Sequence, residues 1–231
     1  MNVLSGLFRL APTIAGMLVF TVDLAGQTVS GRAVIAAPKS SVRMGAVTEQ
    51  LDGLWGGLAF DVQAGRFTMS GSAARGRLAP SPSGTAPKRD VGELSLAGQY
   101  AYRPWLRFEL RYAARAFSSA AGYQRWDLVG VGATASHDLG SPAVRAFASL
   151  LYFPMVRVSQ QARPTFALGS DVGIAVVPSK FPLACALSYR IERVTFPDVA
   201  GRSEQFEALT LSLGVRARRY GGRWTLGGTG Q

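Results

Sequence analysis

Few residues in this chain of 231 could do chemistry. There is one histidine, His137, and one cysteine, Cys185. His137 stands beside Asp138 in the stretch HDLGSP (137–142). A histidine next to a carboxylate can move a proton in hydrolysis, provided that a nucleophile and an oxyanion donor converge on it. No such partner lies nearby in the sequence, and Asp138 ahead of Gly140 and Pro142 reads as a turn residue. Cys185 alternates with Leu183 and Leu187 on one apolar face, the place of a small hydrophobe rather than a nucleophile. A single cysteine excludes an internal disulfide framework and a multi-cysteine metal site, and no other metal-ligand spacing stands out. The expectation is a chain with no catalytic residue, no metal and no cofactor.

The charged side chains are more informative, because they recur at every second position. Residues 106–117 read LRFELRYAARAF. Leu106, Phe108, Leu110, Tyr112, Ala114 and Ala116 form one phase; Arg107, Glu109, Arg111, Ala113 and Arg115 form the other. Period two is the signature of a strand with one apolar and one polar face. Asp61, Glu93, Asp171, Arg190, Glu192, Arg216 and Arg218 hold the polar phase of their own segments in the same way. These seven, with Arg107, Glu109 and Arg111, are the candidate inward-facing charge network.

Segments of this kind follow one another: 41–50, 54–63, 66–78, 92–103, 106–117, 125–137, 144–158, 165–177, 183–195 and 205–220. Pro154 interrupts the seventh and predicts a bulge or a strand end. Most segments reach ten residues or more, whereas an ordinary strand runs about five or six and a tilted strand crossing a bilayer needs about nine to eleven. The links also alternate in length. Short ones fall at 64–65, Pro104, 138–142 and 178–182; longer ones fall at 79–91, 118–124, 159–164 and 196–204, with 51–53 as an exception. A soluble meander has no reason to sort its loops by parity, but an outer-membrane barrel does. Tyr100, Tyr102, Trp105 and Phe181 lie near short links, and Phe117, Tyr123, Trp126, Phe166, Phe196 and Phe206 near long ones, as two aromatic girdles would.

The totals agree with a glycine-rich β protein. Hydrophobic residues make up 48% and glycine contributes 27 positions. The net charge is +11. The basic residues are spread through the alternating segments, and no nucleic-acid module is present, so nucleic acid is not an expected partner. The N-terminus has one charge, Arg9, ahead of the apolar run LAPTIAGMLVFTV (10–22). This reads as an export signal, with an N-terminal anchor helix or a buried strand as the alternatives. Cleavage is expected after Gly26 or after Ala36. The expected layout is a leader over 1–36, a barrel over 37–220 and a flexible tail over 221–231.

Alternation, loop parity and leader together make residues 41–220 resemble the small outer-membrane β-barrel proteins of Gram-negative bacteria. The resemblance implies an all-β fold, an antiparallel up-and-down transmembrane β-barrel of about ten strands, in the bacterial outer membrane. It also implies outer-membrane lipid, lipopolysaccharide and the barrel-assembly machinery as partners. Such proteins commonly end on a strand with a terminal aromatic; here Tyr220 ends the last segment and GGRWTLGGTGQ (221–231) follows.

In that arrangement Leu106, Phe108, Leu110 and Tyr112 face lipid, and Arg107, Glu109, Arg111 and Arg115 face the lumen. An arginine on the lipid face near the midplane costs about 2–4 kcal/mol, so the phase cannot slip. A soluble barrel would use the same alternation with the leucines inside. The Pro- and Ser-rich stretch 79–91 reads first as a solvated loop, with Lys88 and Arg89 as candidate contacts for lipopolysaccharide phosphates or for a host or cell partner. Three function classes follow: a non-enzymatic barrel with a structural or surface-interaction role or a narrow solute channel; an outer-membrane hydrolase; and a secreted soluble barrel binding an apolar ligand.

Overall fold

The computed structural model describes residues 27–80, 86–120, 122–159, 163–178, 181–197, 201–220 and 223–226, with side chains through 217. Ten strands form the wall: β1 (Thr28–Met44), β2 (Val47–Ala64), β3 (Phe67–Pro80), β4 (Arg89–Arg103), β5 (Leu106–Ser119), β6 (Gly122–Asp138), β7 (Val144–Val158), β8 (Phe166–Val176), β9 (Leu183–Thr195) and β10 (Ser203–Tyr220). Each pairs antiparallel with the next, and β1 pairs with β10 from Thr28↔Arg218 to Arg43↔Ser203. The sheet is therefore an up-and-down barrel closed on itself, with no free edge along most of its wall. A short β11 (Arg223–Leu226) folds back on β10, pairing Ala217 with Leu226 and Tyr220 with Arg223.

The barrel begins earlier than the sequence suggested. The expected boundary at 36/37 falls inside β1, whose residues 28–36 pair with both β2 and β10. Residues 41–50 are not one strand: they contain the end of β1, a turn at Gly45–Ala46 and the start of β2. Gly45 takes a φ of 60°, a value suited to glycine in a tight hairpin. Residues 51–53, expected as a link, lie in mid-β2. At the other end, Arg223–Leu226 form β11 within the segment expected to be a flexible tail.

The links at one end (65–66, 104–105, 139–143 and 177–182) are all short; this is the turn end. The other end holds the longer links 81–88, 159–165 and 196–202, and is the loop end. It also holds two links of two residues each, 45–46 and 120–121, so loop parity is weaker than expected. Pro154 does mark a bulge. Val129 pairs with Met155 and Val131 with Tyr152, which leaves Phe153 and Pro154 together opposite Gly130.

The hydrophobic phase inverts partway along the strands. Toward the turn end, apolar side chains point outward and are exposed: Leu54 and Leu58 on β2 (66% and 69%), with Met69, Leu110, Val131, Leu150, Ile174, Leu187 and Leu211 on other strands. On β2 the outward apolar positions run from 54 to 62, nine residues, against about nine to eleven for a tilted bilayer crossing. An exposed apolar belt around a closed barrel is the surface that hydrocarbon covers, so this half spans a membrane. Toward the loop end the phase reverses. Leu51, Leu78, Val91, Phe117, Trp126, Leu128, Val156, Val194 and Phe206 point inward and are buried. Their neighbours Asp52, Arg77, Asp90, Arg125 and Arg193 point outward and are exposed. The lipid-facing and soluble-barrel readings of the alternation each hold for one half of the wall.

Candidate functional site

The lumen is crossed at the junction of the two halves by a cluster of four charges. Glu93 on β4 and Arg115 on β5 face Arg190 and Glu192, two positions apart on the inner side of β9. The Arg115 guanidinium donates to Glu93 Oε2 from Nε at 2.7 Å and from Nη2 at 2.5 Å, and to Glu192 Oε2 from Nη2 at 2.7 Å. Arg190 donates from Nη1 to Glu93 Oε1 at 2.9 Å and lies 3.7 Å from Glu192 Oε1. Each arginine thus meets both carboxylates, and each carboxylate meets both arginines. Glu93, Arg115 and Glu192 are 8%, 4% and 5% exposed. At such burial an uncompensated charge would be expensive, and the two-by-two arrangement leaves none.

Aromatic rings hold the cluster. The Arg115 guanidinium carbon lies 3.7 Å from the centre of the Phe206 ring, and that of Arg190 lies 5.4 Å from it. Trp55 packs 5.4 Å from Phe206 and 5.9 Å from Arg190. Strands from opposite sides of the barrel therefore meet at its axis. On the loop side the apolar core follows, and then a second ionic layer: Arg89 with Glu49 at 2.5 Å and Arg202 with Glu204 at 2.6 Å.

The turn-side lumen is polar. Arg32 pairs with Asp61 at 2.7 Å, and Ser30 donates to the same carboxylate at 3.0 Å. Glu109 accepts from Gln99 at 2.9 Å and from Arg111 at 2.6 Å. Asp171 Oδ1 is buried without a hydrogen-bond partner. Asp138 and Arg145 pair at 2.7 Å near the turn-end mouth.

Of the residues expected to face the lumen, the structure brings Glu93, Arg190 and Glu192 together, and Glu109 with Arg111. It places Asp61 with Arg32. Arg107 and Arg216 share the inward phase but join none of these ion pairs, and Arg216 is exposed. The Arg218 side chain lies outside the described residues. The outer-loop pair divides: Lys88 is exposed in the β3–β4 link, whereas Arg89 is the first residue of β4 and is held by Glu49. Arg89 is therefore engaged inside the wall rather than offered in a loop. The expected loop-end girdle is corrected as well. Phe117, Trp126, Phe196 and Phe206 are buried core residues, because the barrel continues past the belt and its inside there is dry. Phe166 alone of that group is an exposed outward aromatic, and Tyr123 is half-buried.

Trp55 was not singled out by sequence, and Phe206 was expected only as a girdle aromatic, yet a signal for their inward place existed. Trp55 stands among Gly53, Gly57 and Ala59 on one phase of β2, and Phe206 is out of phase with Leu209, Leu211 and Leu213. His137 is exposed at the turn end. Among the described residues, no group of three or more His, Cys, Asp or Glu could hold a metal ion.

No family model and no curated protein matches the chain. Solved structures similar to it include the outer membrane protease OmpT from Escherichia coli, at 12% identity and a TM-score of 0.49, covering 87% of this chain and 99% of that one. An outer membrane channel from Pseudomonas putida F1 is 12% identical with a TM-score of 0.45, covering 83% and 96%. The translocator domain of the autotransporter NalP from Neisseria meningitidis is 12% identical with a TM-score of 0.43, covering 91% and 95%.

Proposed function

We propose that this chain is a non-enzymatic barrel of a bacterial outer membrane, with a closed lumen and a structural or surface-interaction role. Closed antiparallel barrels with an outer apolar belt are the membrane-spanning form of that compartment. The observation that carries the closed-lumen reading is the cluster of Glu93, Arg115, Arg190 and Glu192, buried where opposite walls meet. A pore needs a continuous polar path; here the polar turn-side lumen ends at that cluster, and an apolar core lies behind it. A barrel that binds an apolar ligand needs an open apolar interior, whereas Leu51, Leu78 and Leu128 are packed to 1%, 0% and 1% exposure.

The experiment is planar-bilayer recording of the purified, refolded chain. The expected result is no stepwise conductance above the lipid background. Reproducible single-channel steps would replace this reading with the solute-channel one. For the hydrolase reading, a surface peptide and an acylated glycolipid serve as substrates; turnover abolished by His137→Ala would establish that class instead.

A further inference from the structure

The turn-side half of the lumen ends at the four-charge cluster and opens at the turn end. Ten strands enclose more space than the eight whose inward side chains just fill a barrel, and here the inward side chains are mostly small. Ala59, Ser70, Ser72, Ser95, Ala97 and Ser188 all face the interior. They are half-buried, not buried, unlike the inward side chains of the dry loop-side half. This half is therefore a vestibule with a hydroxyl-rich lining, reached by solvent from the turn end.

The fixed charges of this half pair off unevenly. Asp61 is held by Arg32 at 2.7 Å, Glu109 by Arg111 at 2.6 Å and Asp138 by Arg145 at 2.7 Å. Asp171, a further acid, stands in register with Arg190 at the closed end. Arg107 and Arg216 are left over: no salt bridge or side-chain hydrogen bond joins either of them to another described residue. Arg107 is half-buried on the inner phase of β5, and the charges of Arg145 and Asp61 both reach it. Thr134, its cross-strand partner on β6, is half-buried on the same face and brings a hydroxyl beside it. Arg216 is exposed and in register with Ser30, the residue that donates to Asp61.

A half-buried guanidinium that faces a second one, with Asp61 already taken by Arg32, is an incomplete charge arrangement. The low-dielectric walls of a blind cleft focus the field of such cations on whatever enters it. We propose that the vestibule binds a small, doubly charged oxyanion, inorganic phosphate or a phosphomonoester, through Arg107, with Thr134 and Arg145 beside it. The Arg107 fork takes two of the anion's oxygens and the Thr134 hydroxyl donates to a third. The two left-over arginines match the two charges, and the blind end limits the ligand to a small one. In an outer-membrane barrel the short-turn end faces the periplasm, so the ion enters from there. The inference rests on the membrane reading for that compartment, and on the residues of the vestibule for the site.

The test is isothermal titration of the full chain, refolded in a neutral detergent at low ionic strength, with inorganic phosphate and with glycerol phosphate. The wild type is expected to bind phosphate in the millimolar range or tighter, and R107Q about tenfold more weakly, the scale of one charge-assisted hydrogen bond. T134V removes the hydroxyl and no charge; it is expected to weaken binding severalfold, and it keeps the test decisive if R107Q does not refold. R66Q, in the β2–β3 turn, should bind like the wild type. Binding of the ester together with the free ion, or of the free ion alone, names the source, and either upholds the site. A wild type that takes up neither anion, R107Q and T134V variants that both titrate like it, or an equal loss in R66Q would overturn the proposal. Co-flotation with outer-membrane vesicles reads membrane residence independently, so failure of the membrane reading is told apart from failure of the anion site.

Discussion

At the residue scale, the buried Arg115 carries the sharpest test by substitution. It is the donor that joins β4 to β9 across the lumen. Arg115→Met leaves Glu93 and Glu192 facing each other with only Arg190 between them. Breaking a buried network from one side costs about 3–5 kcal/mol. The expected result is a marked fall in the temperature at which the folded band converts to the unfolded one on a gel. The quadruple change to apolar residues, E93L/R115M/R190M/E192L, should recover much of that loss, because no buried charge is then left alone. If Arg115→Met melts like the wild type, the cluster is not a structural tie. Gly130 is a second such residue. A Cβ there would lie 2.8 Å from the Phe153 ring, so Gly130→Val is expected to displace the ring from the bulge and lower refolding yield.

At the element scale, the phase inversion along each strand predicts opposite outcomes for similar changes. Leu211 on β10 faces outward in the belt, and Leu211→Arg is expected to cost about 2–4 kcal/mol in a urea titration in lipid vesicles. Asp52 on β2 also faces outward, but beyond the belt, and Asp52→Arg should fall within about 0.5 kcal/mol of wild type. Leu78 on β3 faces inward in the dry half, where Leu78→Ala should cost about 2–5 kcal/mol, as in a soluble core. A belt that reached Asp52 would make that substitution as harmful as the one at Leu211. Much of this was legible. The period of two and the polar phase at Glu109, Arg190 and Glu192 were plain in the sequence. The inversion was not, because small residues blur it: in LRFELRYAARAF, Ala113, Ala114 and Ala116 fit either face between Leu110, which faces lipid, and Phe117, which is core. Residues 28–36 were missed for a different reason. They follow an apolar N-terminal run, and their pairing with both β2 and β10 is what makes them a strand.

At the scale of the whole molecule, closure by β1 and β10 unites a membrane-spanning half and a protruding, solvent-facing half in one wall. Cys185, the single cysteine, lies on the outer phase between the exposed Leu183 and Leu187. In intact membranes a charged, impermeant maleimide is expected to leave it unlabelled, and to label it fully after boiling in detergent. Ready labelling of the native protein would place this part of β9 outside the bilayer. The sequence by itself determined the class of fold, since strand period and segment length are local properties set by side-chain order. Only the tertiary structure decided where the barrel starts and which charged residues pair across its lumen. Those depend on which strands meet across the barrel, and residues 97 positions apart, such as Glu93 and Arg190, become partners only when the sheet closes on itself.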